Sequence, residues 1–265
     1  MQKQRSQFVT FKPRPAAAFR LFCFPHAGGT PIAFFPWADL CGENIECVSL
    51  QYRGRAQRLK EAPLTSVEEF VREIRSDLST MCDKPFAFYG HSFGGIVAFE
   101  LARQLQRSGR PGPSHLYVGA TRPPHLESPF PNIHGLAEEE FIANVQSRYG
   151  GIPSVILEDA EVMKMFLPAM RGDFTAYESY RYQPGVPLDI PITAFGGAQD
   201  KAVKAACLRE WELHTEAGFD INILPGDHFF LLTSAQELVR TVEMRFVSCQ
   251  TERSDTCVGW SAEGR

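Results

Sequence analysis

The stretch from Phe86 to Arg103 predicts a strand, a tight turn and a helix in direct succession. The strand is the apolar run FAFY, the turn has the pattern G-x-S-x-G with Ser92 at its centre, and apolar residues then recur at helical spacing. This order is that of a nucleophile elbow, in which the turn holds its serine out from the edge of a sheet. Side chains at Gly90 or Gly94 would crowd such a turn. An ordinary strand-to-helix turn is the alternative, so a role for Ser92 depends on finding its partners.

The composition of the 265 residues is that of a globular α/β chain that forms one domain. Hydrophobic residues make up 44% and charged residues 22%, and the formal net charge of −4 gives no reason to expect nucleic acid as a partner. No run of about 18 apolar residues is present and the N-terminus lacks the apolar centre of a signal peptide, so we expect a cytoplasmic protein without a membrane span. The seven cysteines form no C-x-x-C pair, which argues against a metal site or a disulfide framework.

Strand and helix patterns divide the chain into three parts. Residues 1–17 are polar and contain prolines, so we predict a loosely held N-terminal arm. Residues 18–247 are predicted to form the α/β domain, with a mostly parallel central sheet and helices on both faces. The alternation stops at about residues 121–187, where an insertion would arch over the active edge as a helical lid. The closing helix is predicted to end near Phe246, and the polar tail 248–265 is predicted to be disordered.

The first buried strand of the domain leads into a loop that contains two glycines. The strand is Phe19–Phe24 and the loop is PHAGGTP, in which Thr30 and Pro31 have the pattern of a helix N-cap and first helical residue. In hydrolases with a nucleophile elbow, the loop after an early strand donates one N–H group to the oxyanion, and the residue after the nucleophile donates the other. The backbone N–H groups of Ala27 and Phe93 are therefore our candidates. A glycine-rich connection without a catalytic role is the alternative.

Two residues in the C-terminal third fit the partners that a serine nucleophile needs. A neutral serine hydroxyl is a weak nucleophile, so Ser92 requires a base, and the base requires an acid that fixes its tautomer. Asp200 and His228 each lie shortly after a predicted strand, and they follow Ser92 in the chain order of α/β hydrolases. Because parallel strands end at one edge of a sheet, we expect the three side chains to meet there. Asp189 precedes its strand and would lie at the opposite edge.

The insertion contains two helical patterns, near Leu136–Tyr149 and Asp159–Tyr180. The second has an apolar face that is rich in methionine. Its members are Val162, Met163, Phe166, Leu167, Met170 and Phe174. Because methionine adapts to flexible acyl chains, we predict that Met163, Phe166 and Met170 line a substrate channel. An ordinary core-facing stripe is the alternative.

A basic loop follows the second predicted strand of the domain, Ile45–Leu50. It carries Arg53, Arg55, Arg58 and Lys60. In a parallel sheet this loop leaves at the same edge as Ser92, where its cations could receive a phosphate or an acidic partner. Arg53, Arg55 and Arg58 are therefore our candidates for receiving such a partner. A solvated charge run is the alternative.

Three motifs resemble those of type II thioesterases, stand-alone α/β hydrolases that accompany polyketide and nonribosomal peptide synthetases. The motifs are FPHAGG at Phe24–Gly29, YGHSFGG at Tyr89–Gly95 and PGDHFFL at Pro225–Leu231. The mammalian medium-chain acyl-carrier-protein hydrolase is a relative of that family. The resemblance extends from about Phe19 to Phe246 and includes the pair Gly54–Arg55. One departure is Arg53, where the family usually has proline, and it bears on the shape of the loop rather than on the triad.

The resemblance implies that Ser92, Asp200 and His228 are a catalytic triad and that residues 121–187 are a lid. It further implies a thioester hydrolase that needs no cofactor or metal. Such an enzyme removes acyl groups from the phosphopantetheine arm of acyl or peptidyl carrier proteins, in editing or in product release. The carrier is then predicted to dock at Arg53, Arg55 and Arg58, and Arg55, in the family's Gly54–Arg55 pair, is the arginine that we expect to turn inward if one of them braces the loop. We expect a monomer with no nucleic-acid and no membrane partner.

Three other functions are compatible with these features. A carboxylesterase or lipase that acts on oxyesters would have the same triad and differ only in its pocket. A cyclising release domain is normally fused to a synthetase, and we expect no such fusion here. A catalytically silent carrier-binding protein would tolerate loss of the triad, so the intact set of residues favours an enzyme.

Overall fold

The computed structural model describes the backbone of residues 7–256 and the side chains of residues 7–246. Within this range, seven strands form one sheet. They are β1 (Phe8–Val9), β2 (Phe19–Phe24), β3 (Ile45–Leu50), β4 (Phe86–His91), β5 (Leu116–Gly119), β6 (Ile192–Gly197) and β7 (Phe219–Leu224). Their order is β1-β3-β2-β4-β5-β6-β7, and of these strands only β1 runs antiparallel to its neighbour. The predicted α/β fold with a mostly parallel sheet is confirmed.

Helices connect the parallel strands and cover both faces of the sheet. The α-helices are α1 (Trp37–Leu40), α2 (Val67–Leu78), α3 (Phe93–Arg107), α4 (Glu138–Arg148), α5 (Ser154–Leu157), α6 (Ala160–Ser179), α7 (Ala205–Leu208), α8 (Phe230–Thr233) and α9 (Ala235–Thr256). Short 3₁₀ helices span Pro31–Phe34, Ala56–Arg58, Ser79–Met81 and Arg209–His214. None of the α-helices within the described range combines the length and the apolar character that a membrane crossing requires.

Alternate residues of the central strands belong to two separate cores. Phe22 and Phe88 lie in a cluster with residues of α2 and α3, whereas Leu21 and Tyr89 lie in a cluster with residues of α1 and α9. Successive side chains of a strand point to opposite faces, so a parallel sheet with helices on both faces buries every strand residue. Strands β2, β3 and β4 are buried at every position, as this arrangement requires.

The N-terminal arm is held more firmly than its sequence suggests, at least from residue 7 onward. The carbonyl of Gln7 accepts a hydrogen bond from the N–H of Gln51 at 2.7 Å, and β1 then adds a short antiparallel edge to β3. Farther along, the backbone N–H of Arg14 donates to Glu46 at 3.0 Å, and its guanidinium donates to the carbonyl of Ile45. These long-range bonds fix a segment that has little apolar periodicity of its own.

Residues 121–187 lie between β5 and β6 and contain α4, α5 and α6. The three helices share a small core of their own, separate from the two cores of the sheet. Its buried members are Ile133, Phe141, Val145, Ile152, Met163, Leu167, Met170 and Phe174. The last helix, α9, extends to Thr256, beyond the end near Phe246 that the sequence indicates. The part of the predicted disordered tail from residue 257 on lies outside the described residues.

Candidate active site

Ser92 occupies the sharp turn between β4 and α3, with φ of 53° and ψ of −119°. Such a backbone conformation costs about 1–3 kcal/mol for a residue with a side chain, and it persists only where the surroundings enforce it. Glycines at positions 90 and 94 allow neighbouring backbone atoms to approach the turn closely. A Cβ atom at Gly90 would overlap the carbonyl of Gly94, and a Cβ atom at Gly94 would overlap the carbonyl of Phe24 in β2. The turn therefore requires glycine on both sides of the serine.

The structure brings together the three side chains that the sequence singled out. His228 Nε2 lies 3.0 Å from Ser92 Oγ, and His228 Nδ1 lies 2.9 Å from Asp200 Oδ2. Asp200 follows β6 and His228 follows β7, so the parallel strands deliver both residues to the edge where Ser92 emerges. An aspartate at Nδ1 fixes the tautomer in which Nδ1 carries the proton, and Nε2 is then free to accept the proton of the serine hydroxyl.

The surroundings of Asp200 keep its carboxylate charged. Burial alone would raise the pKa of Asp200, but the hydrogen bond from His228, its positive charge when protonated, and two backbone donors lower the pKa below its ordinary value. Those donors are the N–H groups of Ala202 and Val203, at 2.8 and 3.0 Å from Oδ1. The carboxylate therefore stands ready to stabilise an imidazolium at His228.

His91 holds the backbone of His228 in place, and sequence reasoning missed this role. His91 Nε2 lies 2.8 Å from the carbonyl oxygen of His228, and the hydroxyl of Tyr89 lies 3.1 Å from His91 Nδ1. Burial lowers the pKa of His91 far below its usual range, so its ring is neutral. A neutral ring that donates from Nε2 and accepts at Nδ1 satisfies both contacts. The sequence signal was slight, because His91 simply neighbours the nucleophile.

The loop that was predicted to form the oxyanion hole is held by a buried ion pair. Arg55 makes a bidentate contact with Asp173, with Nη1–Oδ2 and Nη2–Oδ1 distances of 2.7 Å. Asp173 Oδ2 also accepts from the N–H of Gly28 at 2.7 Å, and Arg55 Nη1 donates to the carbonyl of Gly29 at 3.1 Å. The pair thus fixes the backbone on the C-terminal side of Ala27. Sequence reasoning missed Asp173, although an acidic residue next to an apolar helix face is a signal for a buried cation.

A small cavity of about 40 Å³ lies at Ser92, and both oxyanion candidates, Ala27 and Phe93, are in its wall. Helix α6 contributes Phe166 and Met170 to this wall, as predicted for two of the three channel residues. Met163 is not in this wall, and its buried side chain packs in the core of the insertion. Helical periodicity placed all three on one face, but only part of that face is turned toward Ser92.

The basic loop is largely neutralised within the protein. Arg55 and Arg58 are 4% and 5% exposed, so neither guanidinium is placed to receive a carrier, and the inward turn of Arg55 is the one expected if an arginine braces the loop. The guanidinium of Arg58 pairs with Glu61 at 2.6 Å and with Glu73 at 2.8 Å. Arg53 is half-exposed but forms ion pairs with the same two glutamates. The acidic partners lie in a later turn and in α2. Their carboxylates pair with the arginines of the loop, so much of its positive charge is neutralised within the protein.

A parallel sheet with a nucleophile elbow, followed by an Asp and a His at the ends of later strands, defines the class of α/β hydrolases. The family follows from comparison with known proteins. A family model described as the thioesterase domain matches residues 19–246. The chain therefore belongs to the thioesterase domain family, and the enzyme is a hydrolase of thioesters.

Three similar proteins agree with this assignment. The gramicidin S biosynthesis protein GrsT of Aneurinibacillus migulanus is 38% identical over 232 residues, which cover 88% of this chain and 90% of GrsT. The thioesterase PikA5 of Streptomyces venezuelae is 35% identical, with 88% and 82% of the two chains covered. Among solved structures, the RedJ thioesterase from the prodiginine biosynthetic pathway of Streptomyces coelicolor superposes with a TM-score of 0.80 at 34% identity, covering 87% of each chain. The resemblance to type II thioesterases is confirmed.

Proposed function

We propose that this enzyme hydrolyses thioesters on the phosphopantetheine arm of acyl or peptidyl carrier proteins through a covalent intermediate on Ser92. The observation that carries the proposal is the pair of hydrogen bonds made by His228, 3.0 Å to Ser92 Oγ and 2.9 Å to Asp200 Oδ2. By similarity to GrsT, PikA5 and RedJ, the carriers belong to polyketide or nonribosomal peptide synthesis. Such carriers work in the cytoplasm, and we place the enzyme there as a monomer.

The reaction has two stages that use the same residues. Ser92 Oγ attacks the carbonyl carbon of the thioester while its proton passes to His228 Nε2, and Asp200 stabilises the resulting imidazolium. The N–H groups of Ala27 and Phe93 receive the oxyanion. The C–S bond then breaks, the leaving thiolate of the arm takes the proton from His228, and the acyl group remains on Ser92. In the second stage His228 removes a proton from water, which attacks the acyl-serine. The bond between the acyl carbon and Ser92 Oγ then breaks, the acid is released, and His228 returns the proton to Ser92 Oγ.

The cavity supports a small acyl group as the substrate in the conformation described. Its open volume is only about 40 Å³, and the apolar side chains of Phe166 and Met170 border it. A longer chain requires Phe166 and Met170 to move, which the flexible methionine side chain favours. The insertion would in this way act as an adaptable lid.

Hydrolysis of an acyl carrier protein, measured for the wild type and for Ser92→Ala, tests the proposal. We expect a loss of several orders of magnitude in kcat/KM, and His228→Ala should lose about as much, because triad members act as a unit. The double variant should be no worse than either single one. A carboxylesterase would instead show a higher kcat/KM for an oxyester than for the carrier thioester with the same acyl group. That result would contradict the proposal.

A further inference from the structure

A second opening of about 610 Å³ adjoins the cavity at Ser92. Its walls include three arginines, Arg122, Arg148 and Arg181, and we call it the arginine groove. Arg122 follows β5, Arg148 ends α4 and Arg181 follows α6, so three separate segments of the chain bring positive charge to one place. Arg122 and Arg148 are half-buried and Arg181 is exposed.

The three guanidinium groups have no carboxylate partner among the described side chains. Arg122 donates to the carbonyl of Ala202 at 3.3 Å, and Arg181 donates to two backbone carbonyls of its own turn at 2.8 Å. Arg148 donates to the carbonyl of Pro131 at 2.8 Å and to the side-chain amide oxygen of Asn144 at 2.9 Å. Neutral acceptors orient these groups and leave their charge uncompensated. The contrast with the basic loop is clear, since Arg53, Arg55 and Arg58 each pair with acidic residues.

Two acidic residues, Glu127 and Glu178, also lie in the wall of the groove, so its three guanidinium groups exceed its carboxylates by one. Glu178 is bound elsewhere, because its carboxylate accepts from the backbone N–H groups of Ile133 and His134 at 2.9 Å and lies 2.6 Å from His134 Nδ1. Glu127 is exposed to solvent, as Arg181 is, so water screens both charges. The groove therefore keeps an excess of positive charge, and the half-buried Arg122 and Arg148 are its least screened cations.

Two tyrosines join the groove to the catalytic cavity, since Tyr149 and Tyr177 are in the walls of both. The ring centroid of Tyr149 lies 5.0 Å from that of His228 and 6.4 Å from that of Phe130. The guanidinium of Arg148 lies over Phe130, 5.2 Å from its ring centroid. A continuous line of contacts thus runs from the catalytic imidazole to a cation of the groove.

We infer that the arginine groove binds the phosphate of the phosphopantetheine arm and that the thioester end of the arm reaches Ser92 past Tyr149 and Tyr177. The inference rests on the proposed function and names the surface that receives its substrate. The planar fork of arginine matches a phosphate, to which it can donate two hydrogen bonds at once. An arm that is anionic at one end and carries a neutral thioester at the other fits a cationic groove that opens into a mostly apolar cavity. The phosphate bound there is the phosphodiester that joins the arm to its carrier protein.

The test compares kcat/KM for Arg122→Gln/Arg148→Gln with the wild type on four substrates that carry the same acyl group. Acyl-N-acetylcysteamine has no phosphate, acyl-phosphopantetheine has the phosphate alone, and acyl-coenzyme A and acyl carrier protein have it attached to a nucleotide or a protein. The matched control, Lys60→Gln/Arg107→Gln, removes two exposed cations that lie outside the groove. We expect the groove variant to lose roughly three- to tenfold on acyl-phosphopantetheine and on the carrier at low salt, and to match the wild type on acyl-N-acetylcysteamine.

The results distinguish a failure of the inference about the groove from a failure of the proposed function. The loss should shrink as salt rises, and it should be at least as large for the carrier as for acyl-coenzyme A. An equal loss on all four substrates would mean that the arginines serve the fold, and no loss, or a loss confined to the control variant, would place docking outside the groove. Either outcome overturns the inference. Failure of the wild type to hydrolyse the carrier thioester would instead contradict the proposed function itself.

Discussion

Asp173 in α6 and Arg55 in the loop after β3 form a buried bidentate ion pair, with both N–O distances at 2.7 Å and side-chain exposures of 0% and 4%. The residues are 118 positions apart in the chain, so the pair joins the insertion to the sheet domain. Because Asp173 also accepts from Gly28, the insertion, the basic loop and the oxyanion loop are held at a single point.

Removing one member of this pair should destabilise the protein strongly. Asp173→Ala leaves the guanidinium of Arg55 buried without its counter-ion, and the loss of one partner of a buried pair typically costs about 3–5 kcal/mol. Urea unfolding measures the change in the free energy of unfolding. The matched control is Asp39→Ala, which breaks the exposed pair with Lys12 and should cost less than about 1 kcal/mol. Similar costs for the two variants would show that the buried pair does not brace the fold.

Two residues of one helix face should behave differently, because only Phe166 lines the cavity and Met163 packs in the core of the insertion. Phe166→Ala should raise the ratio of kcat/KM for hexanoyl over acetyl thioesters, since each methylene accommodated in an apolar pocket contributes about 1–3 kcal/mol. Met163→Ala should leave this ratio unchanged and lower the free energy of unfolding by about 2–5 kcal/mol. A changed ratio of hexanoyl to acetyl hydrolysis in Met163→Ala would contradict the assignment of Met163 to the core of the insertion.

Acid should destabilise the protein through the buried His115, which is not one of the catalytic residues. Burial lowers the pKa of His115 to about 3, while its unfolded value is close to 6.5. Below pH 6.5 the unfolded chain takes up a proton that the folded protein excludes, so stability is lost as pH falls from 6.5 toward 3. Between pH 6.5 and 5 this residue accounts for about 2 kcal/mol.

The replacement His115→Gln removes the titrating ring and keeps an amide that can bond the hydroxyl of Thr193, the present partner of Nε2 at 2.8 Å. Free energies of unfolding at pH 7 and pH 5 should differ by about 2 kcal/mol less in the variant than in the wild type. An identical pH dependence in the two proteins would assign the acid sensitivity to other groups.

The fold and the triad geometry were predictable because each rests on a short-range pattern joined to one general rule. The elbow is a local motif, and the rule that parallel strands end at one edge of the sheet then places Asp200 and His228 beside Ser92. His228 and Asp200 could be chosen over other histidines and acids without any knowledge of packing.

The roles of the arginines and methionines depended on contacts that the sequence does not display. The inward turn of Arg55 was among the expectations, but its partner Asp173, 118 positions away, was not identified from the sequence. Met163 and Met170 lie on one helical face, and the seating of α6 on the sheet decides which of them reaches the cavity. The arginine groove was invisible for the same reason, since its cations come from three distant segments.

The central claim is that Ser92 is the nucleophile, activated by His228 at a distance of 3.0 Å. Mass spectrometry after reaction with a serine-reactive alkyl phosphonate tests it most directly. The account predicts one phosphonyl adduct on the peptide that contains Ser92 and a much slower reaction in His228→Ala, which lacks the base. An adduct on any other residue, or labelling of Ser92 at an unchanged rate in His228→Ala, would contradict the account.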